Sequence, residues 1–169
     1  MGCFPNIRKK MKSQYIFLPG FLILVSVSPL FTMCRQFNLR KPGVVNEDVI
    51  IKTSEISEYA LFYPFEIDGF SMEIIAIKAP DKSLRTAFNA CTVCYVLGKG
   101  YYVQKGSVLV CQQCGNQFHP EDIEIKTGGC NPIPIFSKDK VQTASTIIIS
   151  KEYLRRSKAM FEKMKEEAE

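Results

Sequence analysis

EYALFYPFEIDGFSMEIIAIKA (Glu58–Ala79) is the stretch from which the fold can be read. Tyr59, Leu61, Tyr63, Phe65 and Ile67 recur with a period of two, the spacing that lines up side chains on one face of a strand. Asp68-Gly69 follows; a two-residue type I′ turn needs positive φ at both central positions, and this dipeptide tolerates it. Phe70–Ala79, rich in Ile, Met and Phe, then reads as the returning strand. Pro64 lacks an N–H, so the first strand is expected at a sheet edge or bulged at that point.

Working outward, Ala79-Pro80-Asp81-Lys82 predicts another turn, leading into a short strand over Leu84–Phe88. Short apolar pieces such as Val108–Val110 punctuate a turn-rich region from Cys91 to Pro134. Thr143–Ser150 (TASTIIIS) is strongly β-prone, and Ser150 can cap a helix from Lys151 to about Glu167. On that helix Tyr153, Leu154, Ser157, Met160, Phe161, Met164 and Ala168 share one face, which is expected to pack on the sheet.

Toward the N-terminus, Arg8, Lys9, Lys10 and Lys12 precede nineteen uncharged residues, Tyr15–Met33. At 1.5 Å per helical residue that run is just long enough for a hydrocarbon core of about 30 Å. Residues 1–34 therefore read as an uncleaved signal anchor, with a lipoprotein-type signal ending in lipidated Cys34 as the alternative. The basic leader places the N-terminus in the cytoplasm and the remaining chain on the extracytoplasmic side. Residues 35–46, with Pro42-Gly43, read as a linker, 47–150 as a cysteine-rich β domain and 151–169 as the terminal helix.

The net charge of +5 is concentrated in that leader. From residue 35 onward 18 basic residues meet 17 acidic ones, so a phosphate-tracking surface is not indicated and nucleic acid drops out as a partner. Motifs such as H-E-x-x-H and G-x-x-x-x-G-K-[ST] are absent, and no small-molecule substrate is predicted.

Five of the seven cysteines fall between residues 91 and 130. Cys91-Thr-Val-Cys94 and Cys111-Gln-Gln-Cys114 are separated by sixteen residues. Two cysteines two residues apart can both face one ion when the chain turns sharply, and two such turns supply four thiolates in a tetrahedron. That donor set suits Zn²⁺, a single iron, or the four terminal positions of an iron–sulfur cluster. Such turns also aim backbone N–H groups at the sulfurs, and Gly115 can supply the positive φ the second turn needs. Structural disulfides, or a thiol–disulfide oxidoreductase cycling Cys91/Cys94 or Cys111/Cys114, are the competing readings. Cys130, in Gly128-Gly129-Cys130-Asn131-Pro132, is either a buried thiol in a tight turn or part of a lid that touches the centre. His119 is the single histidine, which excludes a two-histidine centre, and at a loop it reads as solvated rather than ligating.

The chain resembles the membrane iron–sulfur family called FtrD-like. The resemblance lies in Arg85–Tyr95 (RTAFNACTVCY), Gly98-Lys99-Gly100-Tyr101, Leu109-Val110-Cys111, Cys114-Gly115, Phe118 and Gly128–Pro134 (GGCNPIP), covering about residues 57 to 136. It implies a membrane-associated metal protein with Cys91, Cys94, Cys111 and Cys114 as ligands and Cys130 as a possible additional one. Some relatives are linked to bacterial iron uptake, and Asn89 stands where many carry aspartate. The cysteine layout also looks like that of a Rieske protein with sulfur at every ligand position. The expected fold class is thus mainly β: a small antiparallel domain, Rieske-like or ribbon-like, with two C-x-x-C turns, an N-terminal apolar helix and a C-terminal amphipathic helix. The expected function is a non-enzymatic, membrane-anchored iron–sulfur electron carrier serving a membrane redox or iron-transport protein. A structural zinc module that binds a partner is the alternative.

Overall fold

In the computed structural model, which describes residues 39–41 and 43–168, the hairpin at Asp68-Gly69 organises the largest sheet. β4 (Leu61–Ile67) and β5 (Phe70–Lys78) pair antiparallel from Leu61↔Ala76 to Ile67↔Phe70, and Asp68 and Gly69 take φ of 47° and 76°. β6 (Leu84–Cys91) follows after a turn at residues 79–83, in which Lys82 has φ 67° and Asp81 accepts from both the N–H and the hydroxyl of Ser83. β6 is longer than expected and ends on Cys91 itself. β10 (Pro132–Pro134) closes that edge antiparallel, opposite Cys91, with a register shift between Pro132 and Ile133.

The other edge corrects two expectations. β1 (Leu39–Arg40) and β2 (Val44–Val45) lie parallel along β4, so the described part of the stretch read as a linker adds to the sheet and makes it mixed. β1 pairs with Leu61 and Phe62, β2 with Phe65 and Glu66. Pro64 falls in the gap between them, where no donor is asked of it; the neighbouring strand is interrupted, rather than β4 being an edge or bulged. The sequence-predicted anchor, with Cys3 and Cys34, lies outside the described residues. Among the described residues no helix is long and apolar enough to cross a membrane.

Both faces of this sheet are covered. Leu61, Tyr63, Phe65 and Ile67 of β4, Ile74 and Ala76 of β5, and Phe88 and Ala90 of β6 point one way. They pack on a second, antiparallel sheet of β3 (Val49–Lys52), β11 (Val141–Gln142) and β12 (Thr146–Ile149), to which Val49, Ile51, Ile147 and Ile149 contribute. α1 (Lys151–Glu166) lies on the same side. The Ser150 hydroxyl oxygen accepts the Tyr153 N–H at 3.2 Å, and Asp48 accepts that of Lys151 at 2.8 Å, satisfying donors the first turn leaves free. Leu154, Ser157 and Phe161 are buried, and Phe161 meets Phe88 edge-on at 5.2 Å. Met160 and Ala168, expected on the packed face, are exposed.

The opposite face, Phe62, Ile75, Ile77, Ala87 and Cys91, packs against a third antiparallel sheet of β7 (Tyr102–Lys105), β8 (Val108–Cys111) and β9 (Gln117–Phe118). Gln104 joins the layers by donating to the Glu58 carbonyl and accepting from the Ala60 N–H. Cys91, Cys94 and Cys111 thus sit in a core between two sheets.

Candidate metal centre

The two C-x-x-C segments continue two strands from different sheets. β6 delivers Cys91 and β8 delivers Cys111, and in each case the chain then turns back over the cysteine. The Cys91 N–H donates to the Gly100 carbonyl at 2.6 Å, and the Cys111 N–H to that of Asn116 at 2.9 Å. In the first turn the N–H groups of Val93 and Cys94 point at the Cys91 sulfur; in the second, those of Gln113 and Cys114 point at Cys111. Gly98 (φ 85°) ends the 3-10 turn that follows Cys94, and Gly115 has φ 75° as expected. The Gln112 N–H donates to the Tyr101 carbonyl at 2.8 Å, fastening one turn to the other. Gly100 is sterically obligatory, since a Cβ there would lie 2.3 Å from the Cys94 carbonyl carbon.

The sulfurs meet in two overlapping triads. Cys91, Cys94 and Cys130 have all three Sγ atoms within 4.8 Å of one another, and so do Cys94, Cys111 and Cys114. Cys91, Cys94 and Cys111 are buried, Cys130 half-buried and Cys114 exposed. Cys130 arrives through β10, and its segment is tied to both turns. Asn116 donates from its side chain to the Cys130 carbonyl at 2.9 Å, while Thr92 donates N–H and hydroxyl to the Asn131 carbonyl at 3.0 and 3.1 Å. His119 is exposed, 3.9 Å from Glu121, and belongs to neither triad.

The electrostatics divide the thiols. Burial pushes Cys94 and Cys111 up, and the negative charge of Cys91 adds to it; at Cys111 the Cys114 and Gln113 N–H groups only partly offset the rise. At Cys91 burial is outweighed by the Tyr102 hydroxyl and the two N–H groups, so its thiol is held below the usual value. The Asn116 N–H brings Cys114 down to about 7, whereas the proximity of Cys114, with burial, pushes Cys130 up to about 11. Negative charge therefore settles first on one sulfur of each turn.

Sequence reasoning missed Tyr102. Its ring is fully buried, and its hydroxyl faces the Cys91 sulfur without closing a well-formed hydrogen bond to any protein atom. A buried hydroxyl without a partner is costly, and here it points at a sulfur that would bind metal as the thiolate, a better acceptor than the protonated thiol. The inward N–H groups, the soft donors and this hydroxyl together suit a metal held by thiolates. Asn89 links Tyr102 to Glu73. Its carbonyl accepts the Tyr102 N–H at 2.6 Å and its amide donates to Glu73 at 2.7 Å, a pairing an aspartate cannot make beside a carboxylate. The alternation of Tyr102 with Gln104 was the available signal for a β7 face turned toward the cysteines.

A family model described as membrane iron-sulfur containing protein FtrD-like matches residues 56–161, more than half of the chain. The match reaches into α1, well past the Gly128–Pro134 motif. No curated relative and no solved structure matches the chain.

Proposed function

The chain belongs to the FtrD-like family of membrane iron–sulfur containing proteins, and from that membership we propose that it is a membrane-anchored electron carrier. In this reading an iron–sulfur centre is held by Cys91, Cys94, Cys111 and Cys114. The observation that carries it is the convergence of two C-x-x-C turns from separate sheets, each aiming N–H groups at its own first sulfur. When bound, such a centre supplies one-electron chemistry at a potential set by ligand type, hydrogen bonds to sulfur and burial. All-thiolate ligation keeps that potential low; the Val93 and Cys94 N–H groups and the Tyr102 hydroxyl act against it by stabilising charge on Cys91.

The residues also provide a way out for the electron. Cys114 reaches the surface, and on the first turn Val93 and Leu97 are 52 % and 62 % exposed. These apolar tips give a redox partner a place to approach the buried centre. The apolar run Tyr15–Met33 would tether the domain on the extracytoplasmic side, beside a membrane redox or iron-transport protein. Protease added to intact spheroplasts is expected to cleave the domain without lysis; protection from it would put the domain on the cytoplasmic side.

Anaerobic purification of the full chain from membranes is expected to give coloured protein with iron and acid-labile sulfide, bleached by dithionite. Colourless, zinc-loaded protein would remove the proposal. That second reading, a single structural ion, is favoured by one observation. Four sulfurs about 2.3 Å from a tetrahedral ion stand about 3.8 Å apart, and each triad keeps its three sulfurs within 4.8 Å of one another. Under it a chelator unfolds the domain, because metal binding and folding are coupled.

A further inference from the structure

A tetrahedral ion or an iron–sulfur cluster offers four terminal positions to protein thiolates, and five sulfurs converge here. One is surplus, and the geometry narrows which. Cys91 and Cys111 lie in the core beneath the N–H groups of their own turns, and Cys94 belongs to both triads. Only Cys114 and Cys130 reach solvent. Cys130 lies within 4.8 Å of Cys91 and Cys94, Cys114 within 4.8 Å of Cys94 and Cys111, and the two thiols are within hydrogen-bond reach of each other across the shared Cys94. Nor is Cys130 there by accident of a loose loop. β10 pairs with β6 opposite Cys91, Asn131 is bound by Thr92, and Asn116, two residues beyond Cys114, holds the Cys130 carbonyl.

We propose that Cys114 and Cys130 are alternative ligands for one coordination position, so that three thiolates are fixed and the solvent-facing fourth is exchangeable. The inference rests on the metal-binding reading of the paired cysteines. In the exchange one metal–sulfur bond forms as the other breaks. The incoming thiol releases its proton and the outgoing thiolate takes one up, so the metal keeps its charge and no electron moves. The centre then has a defined opening, at which a small exogenous thiol can compete while the other three ligands hold.

The test uses the full chain purified anaerobically, with metal content and visible spectrum as readouts and circular dichroism to check folding. Cys114→Ser and Cys130→Ser are each expected to keep metal within about twofold of the parent with an altered spectrum. The double variant should lose it by more than about tenfold. A Cys130→Ser protein spectrally identical to the parent, alongside a metal-free Cys114→Ser protein, would overturn the proposal, as would complete loss in Cys130→Ser alone. The Cys91→Ser/Cys111→Ser double variant, left with three thiols in the cluster, separates this from the underlying reading: if that protein retains its metal, the paired-cysteine site itself is wrong.

A second measurement needs no variant. Iodoacetamide applied to the metal-loaded parent should label about one thiol per chain within the domain, divided between Cys114 and Cys130, because the ligand protects whichever is bound. Label confined to Cys130 would mean that the position does not exchange.

Discussion

At Gly100 a methyl group would meet the Cys94 carbonyl carbon at 2.3 Å and its oxygen at 2.4 Å, both backbone atoms that cannot swing aside. Gly100→Ala is therefore expected to displace the first cysteine turn. It should cost about 1–3 kcal/mol, as overpacking does, and reduce metal retention, read by denaturant unfolding and metal analysis. Tyr102→Phe works differently, since it removes a hydroxyl that has no well-formed partner in the protein. Stability should change by less than about 1 kcal/mol, while the midpoint potential of the loaded centre moves negative because charge on Cys91 loses a stabilising dipole. Cys114 and Cys130 make a third contrast. In metal-free protein, alkylation of Cys114 should rise as pH passes about 7, and Cys130 should stay slow until about 11. The sign for folding follows from the depressed Cys114 value. Its contribution is present above the ordinary thiol value of 9.0 and fades as pH falls through about 7.

Among the elements, α1 depends on its first turn and its buried stripe. Ser150→Ala removes the oxygen that accepts the Tyr153 N–H and should lower stability by about 1 kcal/mol, measurable as a modest fall in Tm. The cap was legible in the sequence because it concerns four consecutive residues. So was the Asp68-Gly69 turn, where backbone sterics leave little choice. β4 was only partly legible. Its period-two face is real, but Phe62 on the other face is equally buried, because the third sheet covers it. Likewise β1 and β2 were invisible: two residues each, with no period to read, they exist only because β4 offers them a free edge.

Across the molecule, a buried ion pair fastens the segment that carries Cys130. Lys140 donates to Glu124 at 2.5 Å and to the Thr86 hydroxyl at 2.9 Å, and Glu124 also accepts the Thr86 N–H at 2.7 Å. Side-chain exposures of 2 % and 10 % leave neither charge much water. Lys140→Met strands a carboxylate and should cost about 3–5 kcal/mol, with hydrogen exchange rising first over residues 120–131. Unchanged exchange there would show that the pair does not hold the segment. The expected linker and the expected domain start at residue 47 also change at this level, since residues 39–46 carry strands of the main sheet.

The hairpin, the two cysteine turns and the helix start were written in short runs of residues, because φ limits, capping and strand alternation act over a few positions. The meeting of five sulfurs was not. Cys91 and Cys130 are brought together by the pairing of β6 with β10, and Cys91 and Cys111 by the packing of two sheets. Such contacts depend on which surfaces bury each other across dozens of residues, and no local period encodes that choice. The folded chain alone shows that Cys130 stands beside the paired cysteines and that Tyr102 faces them.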